Sequence, residues 1–160
     1  MLAALFSAAA LAPPGMTRDD PYYPLHEATL EPAPIRAGGP ALWLGGQKRR
    51  GIALAARFAD GWIMPGNRPG DVAYFVDRRN ALRRALDEAG RDPATFAFAG
   101  QLNVPSSDDG RRQAREQGLA FLRAGADHIT LGIVARDGPD ALRLMARQVA
   151  EPLRDAAGRS

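Results

Sequence analysis

The sequence ALWLGGQKRRGIALAARFADGWIM, residues 41–64, decides the predicted fold. Its apolar run at residues 42–44 predicts a buried strand, and two glycines end that strand. Apolar side chains then recur at helical spacing over residues 52–59, and a second strand is predicted at about residues 61–64. A strand, a helix and a second strand in this order form the building block of parallel sheets.

The glycine pair at the end of the first strand is the candidate site that this stretch contains. Gly45 and Gly46 come immediately before the predicted helix, with Gln47 next to them. Backbone N–H groups and the positive end of a helix dipole are available to an anion at such a place. Glycine also lets a phosphate approach the backbone, because it has no side chain. The pair therefore predicts a phosphate site, and the alternative is a tight strand-to-helix turn without a ligand.

The number of predicted strands points to part of a barrel. A complete (β/α)₈ barrel needs roughly 200 residues or more, and this chain has 160. Each of the four predicted strands is followed by a predicted helix, which indicates a parallel sheet with right-handed crossovers. The strands are predicted at about 41–45, 61–64, 96–104 and 128–133.

Four motifs occur in an order that resembles the luciferase-like monooxygenase family, over roughly Leu25 to Leu153. The resemblance implies flavin-dependent monooxygenases or deazaflavin (coenzyme F420) oxidoreductases on a (β/α)₈ barrel. The fold class expected here is therefore α/β, a half or truncated (β/α)₈ TIM barrel of four parallel βα units. The motifs are Trp-Leu-Gly-Gly (43–46), Ala-Asp-Gly-Trp (59–62), Glu-Ala-Gly-Arg-Asp-Pro (88–93) and Ala-Gly-Ala-Asp-His-Ile (124–129).

The domain organisation follows from the same resemblance. Residues 41–157 are expected to form the C-terminal half of a luciferase-like barrel, preceded by an N-terminal segment at residues 1–40. That segment begins with the apolar residues 1–11, which we interpret as the remnant of a helix rather than a signal peptide, because no basic residues precede them. Most of the prolines lie in residues 12–40, which predicts irregular chain with a short extended piece near residues 25–30.

The composition argues against several classes of function. There is no cysteine, so neither a disulfide framework nor a thiolate metal site is expected, and no other metal-ligand spacing occurs. The net charge of +3 comes from scattered arginines. We interpret these arginines, including Arg78 and Arg79, as a solvated face rather than a nucleic-acid surface. No segment is apolar enough to cross a bilayer, and we expect a cytoplasmic protein.

Candidate site residues follow from the rule that such barrels place their sites at the carboxyl ends of the strands. By resemblance, the cofactor is coenzyme F420 or FMN. The expected cofactor contacts are Trp43, Gly45, Gly46 and Gln47; the expected substrate or rim residues are Arg68, Gln101, Asn103 and Arg136. Asp60, Trp62 and His128 lie at the opposite ends of strands and are expected to be structural. Gly46→Val is expected to weaken phosphate binding without unfolding the chain.

The expected function is a flavin- or F420-dependent oxidoreductase or monooxygenase that acts on a small organic substrate. Its catalytic acid and base are not assigned, because in the family they would lie in the half that precedes these four strands. The alternative is a non-catalytic truncated fragment that only binds phosphate or associates with itself. Half a barrel leaves two sheet edges unpaired, so we expect either a homodimer or association with a missing N-terminal half.

Overall fold

The structure, a computed structural model, describes residues 15–36, 38–133 and 138–158. These residues form two units that divide between Ala41 and Leu42. The first unit contains an antiparallel pair of strands, β1 (Met16–Arg18) and β2 (Leu25–Ala28). The proline-rich segment is thus less irregular than the sequence predicted, because its prolines fall outside both strands. The predicted helix remnant at residues 1–11 lies outside the described residues.

The second unit is built on a four-stranded parallel sheet whose strand order is the order of the chain. This arrangement confirms the predicted parallel βα units, since every neighbouring pair is parallel. The strands are β3 (Trp43–Leu44), β4 (Gly61–Ile63), β5 (Ala97–Asn103) and β6 (His128–Gly132).

A helix follows each of the four strands. Asp71 begins the second helix by accepting a hydrogen bond from the backbone N–H of Tyr74 at 2.9 Å, as an N-cap residue does. The helices are α1 (Arg49–Phe58), α2 (Val72–Glu88), α3 (Asp108–Arg123), α4 (Gly138–Met145) and α5 (Glu151–Ala157). A π-helical segment, Ala146–Ala150, joins α4 to α5, and the chain stays helical past Pro152.

The core lies between the sheet and these helices. Trp62 on β4 is fully buried, and its ring lies 6.2 Å from that of Phe75 on α2. Phe75 in turn makes an edge-to-face contact of 5.3 Å with Phe121 on α3. Phe121 rests against Gly100, where a Cβ would lie 2.8 Å from the ring. A row of three aromatic rings therefore connects the sheet to α2 and α3.

Strand β3 is more exposed than the sequence predicted. Among the residues that the structure describes, it has a sheet neighbour on one side only, β4, and 37% of Leu44 is exposed. The apolar run of residues 42–44 alone does not distinguish an edge strand from a central one, whereas the expected half barrel does leave its sheet edges unpaired. The prediction of a buried strand was therefore wrong for β3.

Two aspartates fix the register of the sheet at its amino edge. The carboxylate of Asp60, just before β4, accepts from the backbone N–H of Leu42 at 2.8 Å. Asp127, just before β6, accepts from the backbone N–H of Phe98 at 2.8 Å. Each aspartate thereby holds the strand it precedes beside an earlier strand of the sheet. The predicted structural role of Asp60 is confirmed.

Two arginines cap the ends of helices. The sequence predicted a solvated side chain for Arg79 and assigned no role to Arg91. The Arg91 Nη1 donates to the carbonyls of Ala56 and Ala59, at 2.9 and 2.8 Å, at the end of α1. The Arg79 guanidinium donates to the carbonyl of Ala124 at the end of α3. Cations stabilise helix carboxyl ends because the dipole is negative there. The prediction that Arg79 belongs to a solvated face was wrong.

We predict that Asp127→Ala destabilises the chain, because it leaves the backbone N–H of the buried Phe98 without its carboxylate acceptor. The expected loss in the free energy of unfolding is about 1–2 kcal/mol. Asp127→Asn is the matched control, since its amide oxygen can still accept this hydrogen bond. Urea denaturation measures both variants, and an equal loss of stability in the two would contradict the assigned role.

Candidate functional site

The segment of residues 45–48, here called the glycine turn, joins β3 to α1 at the carboxyl edge of the sheet. The N-cap residue Lys48 makes no side-chain capping bond, and the first turn of α1 contains no acidic residue. By contrast, Asp71 caps α2 and Ser107 caps α3 through their side chains. Since Lys48, Arg49 and Arg50 are exposed, the start of α1 presents backbone N–H groups within a basic surface.

The two glycines of the turn have different surroundings. A Cβ at residue 46 would lie 2.6 Å from the Cα of Gly51, in the first turn of α1. A Cβ at residue 45 would make ordinary contacts, 3.6 Å from the carbonyl oxygen of Ile63. Gly46 is therefore required for the close approach of the turn to the helix, whereas Gly45 is not. This close approach argues against the expectation that Gly46→Val leaves the fold intact, because the valine side chain would meet the Gly51 backbone.

The carbonyl of Gly46 is bonded to the core. The indole Nε1 of the buried Trp62 donates to this oxygen at 3.1 Å. This hydrogen bond satisfies the single polar atom of the indole. It also explains why Trp62 lies in the core, as the sequence predicted.

The side chain of Gln47 faces the protein. Its Nε2 donates to the carbonyl of Gly45, and its Oε1 accepts from the Tyr74 hydroxyl at 2.8 Å. The backbone carbonyl of Gln47 accepts from Arg78 Nη1 at 3.1 Å. These bonds connect the glycine turn to α2.

Two guanidinium groups lie over the ring of Tyr74. The Cζ atom of Arg68 is 4.6 Å from the ring centroid, and that of Arg78 is 5.8 Å from it. Arg68 also pairs with Asp71 at 3.1 Å. The structure therefore brings the predicted rim residue Arg68 to the glycine turn through Tyr74 and Gln47. Arg78, which the sequence assigned to a solvated face, is instead half-buried against the turn.

The remaining predicted rim residues follow the neighbouring strands. The carbonyl of Gln101 on β5 accepts from the N–H of Gly70 at 2.8 Å, which joins β5 to the loop after β4. Asn103 ends β5 beside Gly132, where a Cβ would lie 3.0 Å from the Asn103 Oδ1. Both residues thus lie toward the same edge of the sheet as the glycine turn, as predicted. Arg136 lies outside the described residues.

Trp43 is not brought to the rim. Its indole lies over Gly61, the first residue of β4, where a Cβ would be 2.8 Å from the ring. It also makes an edge-to-face contact of 5.1 Å with His128, the first residue of β6. The ring therefore lies across the amino half of the sheet, on the face opposite the helices. Contact between Trp43 and a cofactor stays a prediction.

Two residues of this site were missed in the sequence, Tyr74 and Arg78. They stand four residues apart on α2 and so share one face of that helix. That spacing was a usable signal, but it does not tell which part of the chain the face meets. The hydrogen bonds to Gln47 span 27 and 31 residues.

Among residues 15–36, 38–133 and 138–158, no group of three or more histidine, cysteine, aspartate or glutamate side chains could hold a metal ion. No helix in this described part of the chain is long and apolar enough to cross a membrane.

The family comparison matches nearly the whole chain. The sequence model described as luciferase-like monooxygenase matches residues 16–159. Phthiodiolone/phenolphthiodiolone dimycocerosates ketoreductase of Mycobacterium tuberculosis is 35% identical over 98 residues, which is 59% of this chain and 25% of that protein. The protein of the same name from Mycobacterium kansasii is 34% identical over 98 residues, 59% of this chain and 26% of its own length. The match thus spans about a quarter of these curated relatives.

Solved structures share the fold at low sequence identity. The coenzyme F420 dependent tetrahydromethanopterin reductase from Methanopyrus kandleri has a TM-score of 0.69 at 12% identity, covering 94% of this chain and 61% of that one. An F420-dependent secondary alcohol dehydrogenase has a TM-score of 0.64 at 16% identity, covering 93% and 58%. Riboflavin lyase with modified FMN has a TM-score of 0.66 at 11% identity, covering 96% and 55%. The chain thus has the fold of part of these proteins.

We predict that the two glycines respond oppositely to alanine. Gly46→Ala should lower the free energy of unfolding by about 1–3 kcal/mol, because the methyl group would meet the Gly51 backbone at 2.6 Å. Gly45→Ala, the matched control, should be neutral or slightly stabilising, since its methyl group makes only ordinary contacts. Thermal and urea denaturation measure both, and a greater loss in Gly45→Ala would contradict the described turn.

Proposed function

Because this chain belongs to the luciferase-like monooxygenase family, we propose that it works in an oxidoreductase that binds the phosphate of FMN or coenzyme F420 at the glycine turn. One observation carries the proposal. The start of α1 lies at the carboxyl edge of a parallel sheet, without a side-chain cap or an acidic residue. Parallel α/β proteins bind ligands at this edge.

The residues at the glycine turn have the chemistry that a phosphate monoester or diester needs. Backbone N–H groups at a helix start donate to phosphate oxygens, and the dipole favours negative charge. Lys48, Arg49 and Arg50 add positive charge and are exposed. The exposed backbone of Gly45 leaves space next to the turn, since a Cβ there would have only ordinary neighbours. The fit of these residues to phosphate supports the proposal for both cofactors.

The class of reaction is proposed from the names of similar proteins. One relative is a ketoreductase and one structural neighbour is a secondary alcohol dehydrogenase. Both names describe the interconversion of a ketone and a secondary alcohol, and we propose this class for the enzyme in which the chain works. When bound, the cofactor supplies the hydride-transfer chemistry. The described chain contributes binding and orientation; the group that would supply the proton is not assigned to any of its residues.

The second candidate is a non-catalytic chain that only binds phosphate or associates with itself. The edge strand β3 favours this candidate, because Leu44 is exposed there. Leu54 and Phe58, on the helix that follows, are exposed as well, at 42% and 55%. Leu54 and Phe58 stand four residues apart and so share one face of that helix. We propose that this exposed apolar face is a site of association, which a homodimer or a partner that supplies further βα units would cover. Binding of inorganic phosphate, but of neither FMN nor F420, would favour this candidate.

We predict that Arg50→Glu, in the first turn of α1, changes binding and stability in opposite directions. The carboxylate should lower the affinity for FMN and F420 at least about tenfold, because it repels the phosphate at the helix start. It should also raise the free energy of unfolding by about 0.3–1 kcal/mol, because an acid at a helix start is favourable. Fluorescence titration and urea denaturation measure the two effects.

Arg57→Glu is the matched control for this experiment. It makes the same charge change in the last turn of the same helix, about 10 Å away along the axis. Its affinity for FMN and F420 should equal that of the wild type. Equal losses of affinity in the two variants would show that net charge, rather than the start of α1, governs binding.

A further inference from the structure

Three successive carbonyl groups of the glycine turn are each held by a side chain. The carbonyl of Gly45 accepts from Gln47 Nε2, and that of Gly46 accepts from Trp62 Nε1 at 3.1 Å. The carbonyl of Gln47 accepts from Arg78 Nη1 at 3.1 Å. A trans peptide is planar, so its N–H points opposite to its carbonyl. Holding these three oxygens therefore sets the directions of the next three N–H groups, at residues 46, 47 and 48.

The hydrogen bond from Gln47 to the Gly45 carbonyl depends on Tyr74. The Gln47 amide donates through Nε2 to the Gly45 carbonyl and accepts through Oε1 from the Tyr74 hydroxyl at 2.8 Å, so the two bonds together fix the orientation of the amide. Tyr74 is itself fixed, because its ring lies beneath Arg68 at 4.6 Å and its backbone N–H donates to Asp71 at 2.9 Å. A chain of contacts thus connects α2 to the peptide between Gly45 and Gly46.

We propose that Tyr74 is a positioning residue for the phosphate site. It acts through Gln47 and fixes the direction of the Gly46 N–H before a phosphate binds. This inference rests on the proposed function of the glycine turn. Two adjacent glycines would otherwise sample many backbone conformations, and binding a phosphate would first have to order them. A turn that is ordered in advance binds more tightly, because this entropy has been lost on folding. Gln47, expected from the sequence to contact the cofactor, then acts on the backbone instead.

The experiment removes one oxygen atom. Tyr74→Phe deletes the hydrogen bond to Gln47 but keeps the ring beneath Arg68. Fluorescence titrations with FMN and with riboflavin, which lacks the phosphate, give the ratio of the two affinities. We expect this ratio to fall roughly fivefold in Tyr74→Phe, the size of one lost hydrogen bond. A role in stability alone would leave the ratio unchanged, because both ligands would lose affinity together.

Two further variants make the comparison specific. Gln47→Ala should lower the ratio of the FMN affinity to the riboflavin affinity by a similar factor. The double variant with Tyr74→Phe should lower this ratio little further, because both changes interrupt the same chain of contacts. Tyr22→Phe is the matched control, since it removes a hydroxyl from a side chain that is 83% exposed. The amide ¹H–¹⁵N resonances of Gly46 and Gln47 should move in Tyr74→Phe without any ligand, and should stay unchanged in Tyr22→Phe.

The outcomes separate this inference from the proposed function. If the wild type favours FMN over riboflavin and Tyr74→Phe keeps that ratio, Tyr74 is not a positioning residue and the phosphate site stands. If the wild type does not favour FMN, the phosphate site fails. The ligand-free amide resonances then decide whether Tyr74 sets the turn: unchanged resonances at Gly46 and Gln47 overturn that role, and moved resonances support it.

Discussion

The hydrogen bond from the buried indole of Trp62 to the carbonyl of Gly46 connects the core of this chain to its candidate site. An indole N–H that is buried without an acceptor is costly, so the packing of Trp62 requires a carbonyl at this place. The same ring packs on Phe75 of α2. The conformation of the glycine turn is therefore set by the packing of the core rather than by the turn alone.

The amino and carboxyl edges of the sheet carry different kinds of residues. At the amino edge, Asp60 accepts from the backbone of Leu42, just before β3, and Asp127 from that of Phe98 on β5, which fixes the register. At the carboxyl edge, the turn and loops carry glycine, glutamine and arginine, whose hydrogen bonds leave the start of α1 open. In (β/α)₈ barrels, residues at the amino edge contribute to stability and active sites lie at the carboxyl edge. The Ala-Asp pair that precedes both β4 and β6 is a short repeat that the sequence contains but that strand–helix alternation alone did not reveal.

Local signals predicted much of the fold. Strand–helix alternation predicted the parallel strand order, because it depends on residues close in sequence. Contacts between distant residues were not predictable. The contact of Trp43 with His128 and the bonds from α2 to Gln47 both depend on how distant strands and helices pack together. For the candidate site, the sequence indicated which glycines to examine but not that Gly46 has a steric role and Gly45 does not.

The central claim is that the start of α1 and the glycine turn bind a cofactor phosphate. The most direct measurement is a map of the backbone amide resonances of the ¹⁵N-labelled wild-type chain during titration with FMN. The account predicts that the largest shifts lie at residues 45–51, where backbone N–H groups would donate to the phosphate. Largest shifts elsewhere, with residues 45–51 unaffected at saturation, would contradict it.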